Sequence, residues 1–178
     1  MRQIQNLNIQ KSINKQKLIY KESWLDIFDK IIIYLFFLWG GILPFLIFFD
    51  PYRDFSKTGF EYYLLFFWTI FCAYVIYRKA TEKKLTKIRS NYTQEKNREF
   101  ITEYFEQNNY ERYKNASNIL IYNEENDFSF NPNHQTSRII LLDNNDVYTT
   151  VIKDNFRLNI PVLYKHISLR KDLRKILN

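Results

Sequence analysis

IIIYLFFLWGGILPFLIFF, residues 31–49, holds no charged side chain, and its reading decides the fold. Nineteen helical residues rise about 28 Å, close to the roughly 30 Å thickness of a bilayer's hydrocarbon layer. A soluble core helix would carry a polar stripe every three to four residues, and this stretch has none. Pro44 would break a soluble helix, but a membrane span tolerates it when a neighbour satisfies the carbonyl it frees. A second apolar run, YYLLFFWTIFCAYVIY (62–77), is interrupted only mildly, by Thr69 and Cys72. Phe60 and the stem of Arg78 can extend it at its ends. Trp24, Tyr34, Tyr62, Tyr63, Tyr74 and Tyr77 lie towards the ends of the runs, as interfacial aromatics do. The short polar linker DPYRDFSKTG makes the pair an antiparallel hairpin of two transmembrane helices. The competing reading is a buried α-hairpin in a larger complex. A signal peptide is disfavoured, because the run starts late, is too long and lacks a small-x-small cleavage site.

The net charge of +7 is concentrated beside these runs. Residues 1–30 carry six Lys and Arg against three acids, and RKATEKKLTKIR (78–89) carries six against Glu82 alone. Residues 50–61 carry two against three, and residues 91–178 carry twelve of each sign. This is the positive-inside pattern, with both termini cytoplasmic. It predicts that Arg78, Lys79, Lys83, Lys84, Lys87 and Arg89 lie along lipid headgroups on a helix continuing to about Arg89. The neutral remainder argues against nucleic acid as a partner. The abundance of Asn, Lys, Ile, Tyr and Phe suggests an A+T-rich bacterial genome, and hence the inner membrane. The single Cys72 excludes disulfides and thiolate metal sites within one chain.

Four regions follow. Residues 1–28 are a polar, poorly ordered N-terminus in which Leu18, Trp24, Leu25 and Phe28 form either an interfacial helix or an extension of the span. Residues 29–78 are the hairpin, 79–92 a basic juxtamembrane segment, and 93–178 a small cytoplasmic α+β domain. In that domain Thr93 is a candidate N-cap, and Phe100, Ile101, Tyr104 and Phe105 share a helical face ending at NNY. NILIY (118–122) and FSF (128–130) read as strands. RIILLDNNDVYTTVIK reads as two strands turning at Asp143–Asp146, with Val147, Thr149 and Val151 opposite Tyr148, Thr150 and Ile152. SLRKDLRKILN reads as a closing helix capped by Ser168, with Leu169, Leu173, Ile176 and Leu177 inward. The order suits two helices on one face of an antiparallel meander, folding from about residue 91 without the membrane.

The two spans, the basic segment, FITEYFEQNNY, the Asn–Asp strand turn and LYKHISLRKDLRKIL together resemble small uncharacterised two-span membrane proteins of bacteria with a C-terminal cytoplasmic α+β domain. The resemblance supports the architecture and implies no activity.

Catalysis finds little support. Glycine occurs only at 40, 41 and 59, so phosphate-cradling and dinucleotide fingerprints are absent from the domain. His134 and His166 have no metal-ligand spacing and read as surface or capping residues. Ser129, Ser137 and Ser168 lack a nucleophile's setting. Neither an enzyme nor a cofactor is expected. Glu124, Glu125 and Asp127 are either a solvated loop or, with the open sheet face, a candidate contact for a protein partner. Gly40 and Gly41 permit either packing within the hairpin or homo-oligomers. The expected function is a membrane-anchored, non-catalytic protein-binding module, of which an immunity protein against a membrane-acting or translocating toxin is a narrower form. The alternative is a subunit of a small oligomeric channel or transporter, although no ionisable side chain lies at mid-span.

The orientation is testable by placing cysteines at Ser56 and Asn133 and treating intact cells with an impermeant thiol reagent. Ser56→Cys is expected to react and Asn133→Cys is not. The opposite labelling would reverse the topology.

Overall fold

Ser23 starts the first long helix with a reciprocal cap. Its hydroxyl accepts from the Asp26 backbone N–H, and the Asp26 carboxylate accepts from the Ser23 backbone N–H at 2.8 Å. The computed structural model describes residues 6–52, 59–125, 135–154 and 159–177. The chain runs through α1 (Ile9–Asn14), α2 (Trp24–Phe48), α3 (Glu61–Thr81), β1 (Thr86–Arg89), α4 (Gln94–Gln107), β2 (Glu111–Ala116), β3 (Ile119–Glu125), β4 (Gln135–Asp143), β5 (Asp146–Asp154) and α5 (Lys165–Leu177). Both α2 and α3 are long and apolar enough to cross a membrane. The expected strand at 128–130, His134 and Asp127 lie outside the described residues, as does the side chain of Glu125.

The two long helices meet at the glycines. A Cβ on Gly41 would stand 3.4 Å from that of Cys72, and one on Gly40 would stand 3.5 Å from the Trp68 indole nitrogen. Pro44 has no N–H to give the carbonyl four residues back, which belongs to Gly40. The Trp68 indole donates to that oxygen at 3.1 Å, and the Thr69 hydroxyl donates to the next carbonyl, of Gly41, at 3.2 Å. The glycines therefore serve packing within the hairpin, and its facing polar atoms are satisfied there.

The five strands form one antiparallel sheet in the order β1-β5-β4-β3-β2. The alternation expected of β5 holds. Val147 and Val151 join Leu120, Tyr122, Ile140 and Leu142 on one face, under Ile101 and Phe105 of α4 and Leu169, Leu173 and Leu177 of α5. Asn144, with φ 51°, makes the β4–β5 turn, and Asn supports that left-handed backbone better than most residues do. NNY ends α4 as expected. Asn109 is left-handed at φ 57°, the Tyr110 N–H reaches back to the Phe105 carbonyl, and their rings pack at 5.2 Å.

Four expectations change. The helix after the second apolar run stops at Thr81, and TKIR forms β1 on the outer edge of β5. A basic run is as compatible with a strand as with a helix, and β5 needs partners for the backbone groups of its outer edge. The exposed strand β2 was not foreseen, because ERYKNA has no alternation of polarity. The final helix begins at Lys165, three residues before Ser168, because the Tyr164 carbonyl accepts from the N–H groups of both Ile167 and Ser168.

The fourth change is the largest. The second sheet face is not open, and the N-terminal segment is not loose. Ile13 and Leu18, with Leu85, are buried against Ile119, Ile121, Ile139, Leu141, Tyr148 and Ile152, and Leu7, Ile9 and Tyr20 pack around them. Asn8 caps α1 through its side chain, and the backbone N–H groups of Leu18 and Leu85 donate to the carbonyls of Lys83 and Gln16. Residues 24–28 extend the long helix, whereas Leu18 belongs to the sheet core. A fragment beginning at residue 91 thus lacks both β1 and the cover of one face.

Leu173→Asp and Ile13→Asp each place an unpaired charge in a buried apolar site. Each is expected to cost about 3 kcal/mol or more in chemical unfolding of the full-length protein in detergent. Indifference to Ile13→Asp would show that the N-terminal segment does not hold the second face.

Candidate functional site at the junction of hairpin and sheet

An antiparallel hairpin returns the end of its second helix beside the start of its first. Here that places Lys79 next to Asp29. The Lys79 side chain is 5% exposed, and its ammonium donates to the Asn159 carbonyl at 2.9 Å and lies 3.1 Å from Glu82 and 3.9 Å from Asp29. Both oxygens of Asp29 accept from the Asn159 N–H at 3.1 Å. Lys83 pairs with Glu22 and stands 4.1 Å over the ring of Tyr20. These groups line a cleft of about 360 Å³ whose rim adds Lys15, Lys17, Lys30 and Lys153, so cations outnumber carboxylates in the lining.

The electrostatics follow from depth. Burial pushes the Glu82 carboxyl above its ordinary range, and Lys79, Lys83 and Lys30 do not reverse it. Burial also acts on Glu22, but the hydrogen bond and charge of Lys83 prevail and hold it below that range. Lys153 is lowered by burial and by the charge of Lys165. No Ser, Thr, Cys or His stands among the described residues that line the cleft. Among the described residues no three His, Cys, Asp or Glu side chains gather closely enough to hold a metal ion.

The six basic residues of 78–89 separate into distinct environments. Arg78 and Lys79 are buried, Lys83 is paired with Glu22, and Lys87 bonds Asp146 at 2.6 Å. Lys84 and Arg89 are exposed. They therefore do not share one continuous helix. Glu124, expected in an acidic loop, lies at the end of β3 and is bound by Arg138 at 2.9 Å and Lys165 at 2.6 Å. Burial raises its pKa, but these two cations outweigh burial and hold it below the ordinary carboxylate range. Glu124 is thus ion-paired with two other elements while staying partly exposed.

Two surfaces were missed. Asp29 and Lys79 could have been paired from the hairpin geometry alone, but Asn159 carries no such signal. Along α4, Glu95, Glu99, Glu103 and Glu106 line an open groove of about 520 Å³ with Arg98, Thr102 and Asn115. Their spacing of three to four residues was visible in the sequence, but the strand facing them was not. Comparison with known proteins finds no matching family model, no similar curated protein and no similar solved structure.

His166 stands in the first turn of α5, not on an open surface, and its Nδ1 is buried without a partner. Burial, and then the charge of Arg78, push its pKa down to about 4. A base with a depressed folded pKa loses stability as pH falls, because the unfolded chain takes the proton first. The loss begins near pH 6.5, the ordinary value, and is complete near pH 4. His166→Gln is expected to flatten the melting temperature across that window. An unchanged profile would place the titration elsewhere.

Proposed function

We propose that this chain is a non-catalytic protein-binding module held in a bacterial inner membrane by its helical hairpin, with both termini in the cytoplasm. The anchor reading is supported by the hairpin's outer surface. Leu35, Phe36, Trp39, Phe67 and Ile70 are exposed at 60–70%, and among the described residues no other element covers them. A bilayer accepts such a surface, whereas water does not.

The observation that carries the binding reading is the glutamate row of α4 facing β2. β2 is four strands from β1, which follows the hairpin directly, so at about 4.8 Å per strand the groove is held some 19 Å from the anchored edge. Its charge suits a basic segment of a protein partner. Anchoring raises the effective concentration for a neighbour in the same membrane, so a modest interface suffices. The channel alternative gains nothing from the hairpin, whose facing polar groups at Trp68 and Thr69 are spent on Gly40 and Gly41.

Affinity purification from native membranes compares wild type with a Glu95→Lys, Glu99→Lys, Glu103→Lys variant. A specific protein recovered with the first and lost with the second is expected. Recovery of none, together with ion or solute flux through liposomes carrying the purified protein, would replace this function with transport.

A further inference from the structure

A second, smaller cavity of about 90 Å³ lies where the end of α3 meets β1, β5 and the first turn of α5. It has room for about three water molecules. Its lining includes Arg78, Thr81, Lys84, Thr149 and His166, and no carboxylate. Arg78 is 8% exposed, and its guanidinium gives an Nε–H to the Val162 carbonyl at 3.2 Å and an Nη1–H to the Thr81 hydroxyl at 3.3 Å. Among the described residues no carboxylate pairs with it directly, and the nearest acidic charge acting on it, Glu82, is engaged by Lys79 at 3.1 Å. Two further polar atoms are buried without partners, the Thr149 hydroxyl, on a residue 2% exposed, and His166 Nδ1. A hydroxyl and a neutral imidazole each have a proton to give. Water can satisfy those two atoms but cannot neutralise the guanidinium.

We infer that this cavity is an oxyanion site that takes a phosphate group, bound by Arg78, Lys84, Thr149 and His166. The phosphate comes either from inorganic phosphate or from a lipid headgroup, since Tyr77 and Arg78 leave the apolar run at the depth where headgroups lie. The site is separate from the α4 groove and does not depend on a protein partner.

The test uses the full-length protein in a maltoside detergent, which contains no phosphate, and follows the melting temperature by tryptophan fluorescence. One arm adds inorganic phosphate against chloride at equal ionic strength, and the other adds phosphatidic acid against diacylglycerol. A rise in either phosphate arm but not in its control is expected. A rise with inorganic phosphate identifies a free-anion site, and a rise with the lipid alone identifies a headgroup site. Thr149→Val removes only an unpartnered hydroxyl, so without ligand its melting temperature is expected to equal or exceed that of wild type. Its affinity for the phosphate ligand is expected to fall about tenfold, the loss of one hydrogen bond to a charged group. No rise in either arm, or unchanged affinity in Thr149→Val, would overturn the site and leave a water-filled cavity.

Discussion

The buried ammonium of Lys79 is the interaction on which the rest of the molecule depends. It gathers Asp29 from the start of α2, Glu82 from the end of α3 and the Asn159 carbonyl from the segment that leads into α5. Taking a lysine out of water is costly unless its hydrogen bonds and charge are met, so once buried it requires all three to stay in place. Around it the contacts continue outward. The Tyr74 hydroxyl donates to the Leu163 carbonyl at 2.6 Å, Arg78 holds Val162, and Leu163 packs beside Ile33, Phe37, Cys72 and Val75. Hairpin and sheet are therefore joined through side chains as well as through the connecting chain.

A second join is made by backbone. Residues on either side of the hairpin pair at Lys17 and Lys84, and the segment before the hairpin then covers the sheet face that the helices after it leave bare. One core thus draws on chain from both sides of the long helices. Strands β3, β4 and β5 are buried on both faces of the sheet, with Asn123 and Ser137 bonded to each other at 3.1 Å where its second face turns polar. This arrangement explains why neither face is available as a docking surface, and why the remaining accessible features lie at the edge and on the outer side of α4.

Much of this architecture was legible in local patterns. The uncharged run, the linker, the two-residue turn at Asn144 and Asn145, and the apolar faces of α4 and α5 each express a periodicity or a backbone preference that acts over a few residues. The failures share a different cause. Ile13 is an isolated apolar residue among Ser, Asn and Lys, Leu18 opens a run of only three, LIY, and only the distant strands give them a core to enter. TKIR becomes a strand because β5 has an open edge, which no window around residue 86 can display. Glu124 looked solvated until Arg138 and Lys165 were brought to it from two other elements. The junction site was half visible, because hairpin geometry fixes Asp29 beside Lys79 but says nothing of Asn159.

The cover of the second face has a consequence in time. Ile13 leaves the ribosome more than a hundred residues before Ile139 and Leu141, the side chains it is to bury. At about 5–20 residues per second, synthesis of the intervening chain takes roughly 6–25 s. During that interval the segment around Ile13 lacks the β4 side chains it docks on, and both long helices are built before they appear. The earliest part of this stretch to be synthesised is therefore among the last to find its place.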